Sequence, residues 1–188
     1  FCTNANYAGT FIVTAVTDKS LGAKGISAFV VPREVPGFSL EKGETKLGMR
    51  GSDWASLVLQ DARIPPHHLL GPEGEGFKTF MKTLEGGRIS IGALGLGIAQ
   101  GAFDVALRHA QEREAFGKPL AAQQAVQFKL ADMEVQIQAA RHLCYHAARL
   151  KDAGRPYGKE ASIAKLHASE TAMKVTYDYQ SGTTDDSR

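Results

Sequence analysis

The sequence predicts an α+β chain, with part of a small β-barrel domain followed by an incomplete antiparallel helical bundle of four-helix type. Three observations predict it. Short runs of β-branched and aromatic residues alternate with turn-formers before residue 70. The pattern changes at Gly71-Pro72-Glu73-Gly74-Glu75-Gly76, after which apolar residues recur at helical spacing. Within that helical half, Gly and Pro interrupt the pattern in the stretch Gln111 to Leu120, and Gly154 interrupts it again. The expected division is residues 1–72 for the β part and 73–188 for the helical part.

In the first part, Gly9 to Thr17 reads as a strand and Asp18 to Gly25 as a polar, glycine-bracketed loop. Ile26 to Val31 is the returning strand, stopped by Pro32, and Pro36-Gly37 marks another turn. Ala55 to Leu59 alternates as a further strand. The prolines of Ile64-Pro65-Pro66 forbid a central strand after it. Strands this short and closely spaced suit a small antiparallel barrel or a sandwich.

In the second part, Phe77, Phe80, Met81 and Leu84 begin a helix that continues through Ile91, Leu94, Ile98, Ala102, Val105 and Ala106 to about Gln111. Gly92, Gly95, Gly97 and Gly101 lie inside it, at about 1 kcal/mol each relative to alanine. Close approach of another helix or of a ligand accounts for them. A second helix is expected from about Ala122 to Ala153, ended by Gly154. A third starts near Lys159 and carries Ile163, Leu166 and Ala168. The polar run from Tyr179 to Arg188 lacks apolar residues to continue it and predicts disorder.

Composition is that of a globular chain, with 43% hydrophobic and 22% charged residues and a net charge of +2. That charge argues for neither nucleic acid nor a membrane surface as partner. Two cysteines, Cys2 and Cys144, make no disulfide framework and suit a reducing compartment. No uninterrupted apolar run reaches the ~18 residues of a membrane span. The chain opens on a strand without a Met, so a fragment of a longer protein is expected.

The candidate sites are few. Arg113 and Phe116 sit three residues apart in the Gln111–Leu120 turn. An Arg fork suits phosphate and a Phe face can stack on a purine, so this turn is either a clamp for a phosphorylated cofactor or ordinary surface punctuation. Spacing alone favours the second. Glu85-Gly86-Gly87-Arg88 puts an acid and a cation beside bared helix backbone, as a groove or as a simple kink. Phe1 and Thr3 share one side of a strand. Gly92-Ala93-Leu94-Gly95-Leu96-Gly97 has a dinucleotide-like glycine pattern, but inside a helix it is a packing surface. His142 and His146 share a helix face without a third ligand, so no metal site is expected. No nucleophile elbow is present.

Taken in order, these motifs resemble the acyl-CoA dehydrogenases, closest to the short-chain and butyryl-CoA type. The residues that carry the resemblance are Phe1-Cys2-Thr3-Asn4-Ala5, Lys46-Leu47-Gly48-Met49-Arg50-Gly51-Ser52, Asp61-Ala62-Arg63-Ile64-Pro65 and Gly74-Glu75-Gly76-Phe77. Gly87-Arg88-Ile89-Ser90-Ile91, Arg113-Glu114-Ala115-Phe116-Gly117, Gln124, Gln127-Phe128 and Leu130-Ala131-Asp132-Met133 extend it. The match covers about residues 1–178.

The resemblance implies an N-terminal helical domain, a β-domain and a C-terminal four-helix bundle, with FAD between the last two and shared between subunits of a homo-oligomer (dimer or tetramer). It implies that Phe1, Cys2 and Thr3 lie against the flavin, with the Thr3 hydroxyl near its N5. Arg113 would hold the FAD pyrophosphate across a subunit interface, Phe116 would lie near the adenine, and Gln124 would be a further contact. Glu85, Gly86, Gly87 and Arg88 would line the acyl-CoA site. The implied reaction is α,β-dehydrogenation of an acyl-CoA thioester, with electrons leaving to an electron-transfer flavoprotein. A carboxylate takes the α-proton, the β-hydrogen leaves as hydride, and hydrogen bonds stabilise the enolate-like oxygen. The implied location is the cytoplasm in a bacterium and the mitochondrial matrix in a eukaryote.

The sequence departs from this family at its catalytic base. The usual glutamate belongs to a Tyr-Glu-Gly segment beyond this chain, and the alternative helix position is Gly87. Glu85 lies about 200° around the helix from Gly87 and does not replace it. The chain alone is therefore expected neither to hold FAD tightly nor to turn over substrate. Two other readings stand beside this one: a non-catalytic assembly or binding protein on the same fold, and an acyl-CoA oxidase.

Overall fold

The computed structural model describes residues 2–43 and 45–183, the side chains of 181–183 excepted. The chain divides into two compact units, Phe1–Met81 and Lys82–Arg188.

Six short strands lie in the first unit: β1 (Cys2–Thr3), β2 (Thr10–Val16), β3 (Ile26–Pro32), β4 (Phe38–Leu40), β5 (Trp54–Ala55) and β6 (Leu57–Leu59). They pair antiparallel as β1 with β5, β2 with β3 and β4 with β6. The long hairpin runs in register from Thr10↔Pro32 to Val16↔Ile26. Its inward residues Phe11 and Val31 join Ala5 and Ala55 in a small core. The Phe38 ring packs 4.9 Å from that of Phe11. Among the described residues the pairs do not close into the expected barrel. Four of the strands are only two or three residues long, and each pairs with one neighbour.

The loop expected at Asp18–Gly25 is a 3-10 turn, Lys19–Gly25, whose start is capped by Asp18 accepting from Ser20 N at 2.8 Å. Gly25 is obligatory there, because a Cβ would fall 1.7 Å from the Asp18 carbonyl oxygen. Buried Ser27 ties β3 to the linker that follows the strands. Its Oγ is 2.9 Å from Thr17 Oγ1 and accepts from Gly74 N at 2.9 Å.

The helices are α1 (Gly76–Glu112), α2 (Gln124–Asp152) and α3 (Gly158–Thr183). Each begins close to where the periodicity puts it, and α1 and α2 also end there. α2 stops in a Schellman turn, with Gly154 at φ 65°, Gly154 N donating to Lys151 O and Arg155 N donating to Leu150 O. α3 extends beyond the expected break at Asp178, through Thr183. Tyr179 packs on the core of this unit and supplies the apolar contact that the polar run seemed to lack.

The three helices are packed through small residues. Ala140, Cys144 and Ala147 of α2 face Ala164, Ala168 and Ala172 of α3, around Met133, Ile137 and Val175. A Cβ on Gly92 would lie 3.1 Å from Cys144 Sγ, and one on Gly95 would lie 3.1 Å from Ala168 O. These two glycines are the close-approach sites expected of them, while Gly97 and Gly101 face open space. Across the helices, Arg141 donates to Gln100 at 2.6 Å, and Gln100 donates to Asp104 at 2.8 Å.

The large residues that define the periodicity lie elsewhere. Phe77, Leu84, Ile91, Leu94, Ile98 and Val105 of α1 are exposed, as are Ile163 and Leu166 of α3. Where α1 meets α3 the buried residues are small, Gly92 and Gly95 against Ala164 and Ala168, which lets the two backbones approach closely. α1 is also, by length and composition, apolar enough to cross a membrane. The reading of uninterrupted runs missed this, because glycines dilute the apolar segment. Its small-residue stripe packed on α2 and α3 is that of a bundle helix.

Candidate cofactor and substrate sites

The stretch between α1 and α2 is a β-hairpin. β7 (Glu114–Ala115) pairs with β8 (Lys118–Pro119) around Phe116 and Gly117. Both central residues are left-handed, at φ 55° and 74°, the signature of a type I′ turn. Asn, Asp or Gly ordinarily takes the first of these positions. A Phe there carries strain of order 1–3 kcal/mol, and its ring is 95% exposed.

Arg113 joins α1 to the hairpin. Its amide donates to His109 O and its carbonyl accepts from Leu120 N, both at 2.8 Å, so the backbone is pinned while the side chain is exposed. Gln124 is the exposed first residue of α2. That helix starts with no side-chain cap and no acid in its first turn. Beside it, Gln123 Nε2 is buried without a hydrogen-bond partner. An uncapped helix start without an acid, an orphaned side-chain donor and an Arg suit a phosphate, and an exposed aromatic ring suits a planar ring system. Arg113 and Phe116 thus belong to one hairpin, and Gln124 opens α2 after the 3-10 turn Leu120–Ala122 that follows it.

Glu85, Gly86, Gly87 and Arg88 are partly buried on α1, far from that hairpin. Twenty-four residues of continuous helix separate Arg88 from Glu112, about 36 Å at 1.5 Å per residue. A Cβ on Gly86 would meet Lys151 Nζ at 3.3 Å, so this glycine admits the end of α2. The Glu85 carboxylate lies against Gly158, where a Cβ would be 3.2 Å from Oε1. Gly87 faces open space. The Glu85 carboxylate thus lies near the start of α3, and position 87 carries no carboxylate.

In the first unit, Thr3 is exposed and pairs with Trp54, and Cys2 is half-buried and pairs with Ala55. Phe1 lies outside the described residues. The sequence reading missed the polar contacts that hold this strand. Asn6 donates twice to the Asp53 carboxylate, from its backbone N at 3.0 Å and from Nδ2 at 2.8 Å. These two bonds, the side-chain one first, lower the Asp53 pKa below its usual value. Arg33 Nη1 is within hydrogen-bonding distance of the carbonyls of Ala5, Asn6 and Ala8. Nothing in the local pattern around Arg33 or Asp53 announces a partner dozens of residues away.

Residues 74–179 match the sequence model of the acyl-CoA dehydrogenase C-terminal domain, and residues 1–62 match that of the middle domain. The chain belongs to the acyl-CoA dehydrogenase family. It is 53% identical over 175 residues to the mitochondrial short-chain specific acyl-CoA dehydrogenase of Bos taurus, covering 93% of this chain and 42% of that protein. It also matches the structure of butyryl-CoA dehydrogenase from Megasphaera elsdenii at a TM-score of 0.92 and 47% identity, over 94% of this chain and 46% of that one. A chain from work on the electron transferring flavoprotein of Acidaminococcus fermentans and flavin-based electron bifurcation matches at a TM-score of 0.92 and 50% identity. That match covers 94% of this chain and 47% of the other. The chain spans somewhat under half the length of each of these three relatives.

Proposed function

We propose that this chain is part of an FAD-dependent acyl-CoA dehydrogenase that introduces an α,β double bond into short-chain acyl-CoA thioesters and passes the electrons to an electron-transfer flavoprotein. Residues 1–72 form the later part of its middle domain, a barrel completed by strands from elsewhere in the protein. Residues 73–188 form most of a four-helix bundle. The observation that carries the reading is the strained, fully exposed Phe116 beside Arg113 on the hairpin after α1.

When bound, FAD supplies the hydride acceptor. Arg113 holds the pyrophosphate by charge-assisted hydrogen bonds, Phe116 packs beside the adenine, and Gln124 adds a polar contact at the start of α2. Cys2 and Thr3 would lie against the flavin ring, with the Thr3 hydroxyl available to its N5. Glu85 to Arg88 line the acyl-CoA groove, where Gly87 leaves room for the thioester. With glycine at position 87, the carboxylate that takes the α-proton comes from another part of the protein.

The separation of about 36 Å between the Arg88 segment and the hairpin supports a cofactor site shared between copies. One copy's groove faces its own flavin, and its hairpin holds the flavin of a neighbour. In this reading the protein is a homo-oligomer, located in the bacterial cytoplasm or the mitochondrial matrix according to source.

The test is anaerobic addition of butyryl-CoA to the purified full-length protein. The expected result is bleaching of the flavin absorbance, with recovery on adding an electron-transfer flavoprotein. Rapid recovery with oxygen alone would make it an oxidase. A flavin-free protein would favour a non-catalytic role.

A further inference from the structure

The loop that follows β1 is held from two sides by charges of opposite sign. Asn4 turns the chain at φ 59°, its N donating to Asp53 O at 2.9 Å, and its carbonyl accepts from Tyr7 N and Ala8 N. The next carbonyls, of Ala5, Asn6 and Ala8, converge on one guanidinium nitrogen of Arg33 at 3.2, 2.8 and 3.3 Å. The Arg33 backbone is itself fixed, its N donating to Gly9 O at 2.9 Å just after β3. From the other side, the Asp53 carboxylate takes both the amide and the side-chain nitrogen of Asn6. Between these two groups Ala5 is fully buried.

A two-residue strand such as β1 has too few ladder bonds to fix its own register. Thr3 stands directly before the held loop and opposite Trp54, the neighbour of Asp53. We infer that Arg33 and Asp53 are positioning residues that together set the place of the Thr3 hydroxyl at the flavin. This rests on Thr3 being the flavin contact proposed above. Neither residue touches the reacting atoms. A displacement of β1 by a fraction of an ångström is enough to alter a hydrogen bond at the edge of a redox ring.

The test uses the flavin-loaded full-length protein with four variants, Arg33→Ala, Arg33→Lys, Asp53→Asn and Thr3→Ala. Amide hydrogen exchange reports the loop, and the visible spectrum and midpoint potential of the flavin report the hydroxyl. Arg33→Ala and Asp53→Asn should each speed exchange at Asn4–Ala8 by about tenfold or more. They should leave the β2–β3 ladder protected and shift the flavin signature in the direction that Thr3→Ala shifts it. Arg33→Lys offers three donors to three carbonyls and should restore both readouts. Unchanged exchange in Arg33→Ala and Asp53→Asn overturns the inference. So does a loosened loop with an unmoved flavin, if Thr3→Ala moves it. If Thr3→Ala is itself silent, the flavin role of Thr3 fails, and exchange alone decides whether the loop is held as described. Asp53→Asn, nearly the same shape as the native residue, carries the test if Arg33→Ala does not fold.

Discussion

Asn6 and Asp53, forty-seven positions apart, meet through two hydrogen bonds of 3.0 and 2.8 Å that close the loop after β1 onto the start of β5. The bonds favour the charged carboxylate and hold its pKa below the usual 3.8. For a group with a depressed folded pKa, the stabilisation is fully present above the unfolded value and is lost as pH falls through the folded one. The Asn4–Ala8 loop should therefore stay protected from pH 7 down to about 4 and open only below that. Amide exchange or NMR shifts of Asn6 across this range check it, and Asp53→Asn should abolish the transition. Opening of the loop between pH 7 and 5 would contradict the assignment.

The hairpin predicts a conflict between stability and function. Phe116→Gly removes a left-handed Phe from a turn that favours glycine. It should stabilise the isolated chain by roughly 1 kcal/mol in thermal or urea unfolding. The same change should weaken flavin binding by the full-length protein, since the exposed ring is lost. A variant that is both more stable and unaltered in flavin affinity would make Phe116 a tolerated imperfection rather than a contact.

The glycines of α1 should separate by environment. Gly97 meets nothing within 4 Å, so Gly97→Ala should stabilise the chain by about 0.5–1 kcal/mol through helix propensity alone. A Cβ on Gly76 would lie 2.4 Å from the backbone carbon of Ser27, so Gly76→Ala should destabilise the chain by more than that amount. Gly95→Ala presses on the Ala168 carbonyl at 3.1 Å and should be destabilising too. Urea midpoints for the three variants test the ordering.

The helices were legible because hydrophobic period, Gly154 and the Gln111–Leu120 break are local signals. Which face of each helix is buried was not legible. Apolar size points to Ile91, Leu94 and Ile163, yet the inner stripe is Gly92, Gly95, Ala164 and Ala168, because closeness of approach rather than side-chain size selects it. The hairpin was readable as a turn from Gly117 and Pro119. Its type I′ geometry was hidden, since Phe116 is not a residue that sequence rules put there. Arg33 and Asp53 left no signal, because their partners lie far along the chain and are mostly backbone atoms. Glu85 could be set aside as a base from helix geometry alone.

The central claim is that the α1–α2 hairpin is a cofactor clamp, and flavin retention by Arg113→Ala in the full-length protein tests it most directly. Loss of a charge-assisted contact to phosphate, worth about 1.5–3 kcal/mol, predicts FAD affinity lower by about 10- to 150-fold, with the fold intact by circular dichroism. An FAD dissociation constant unchanged from that of the native protein would contradict the clamp.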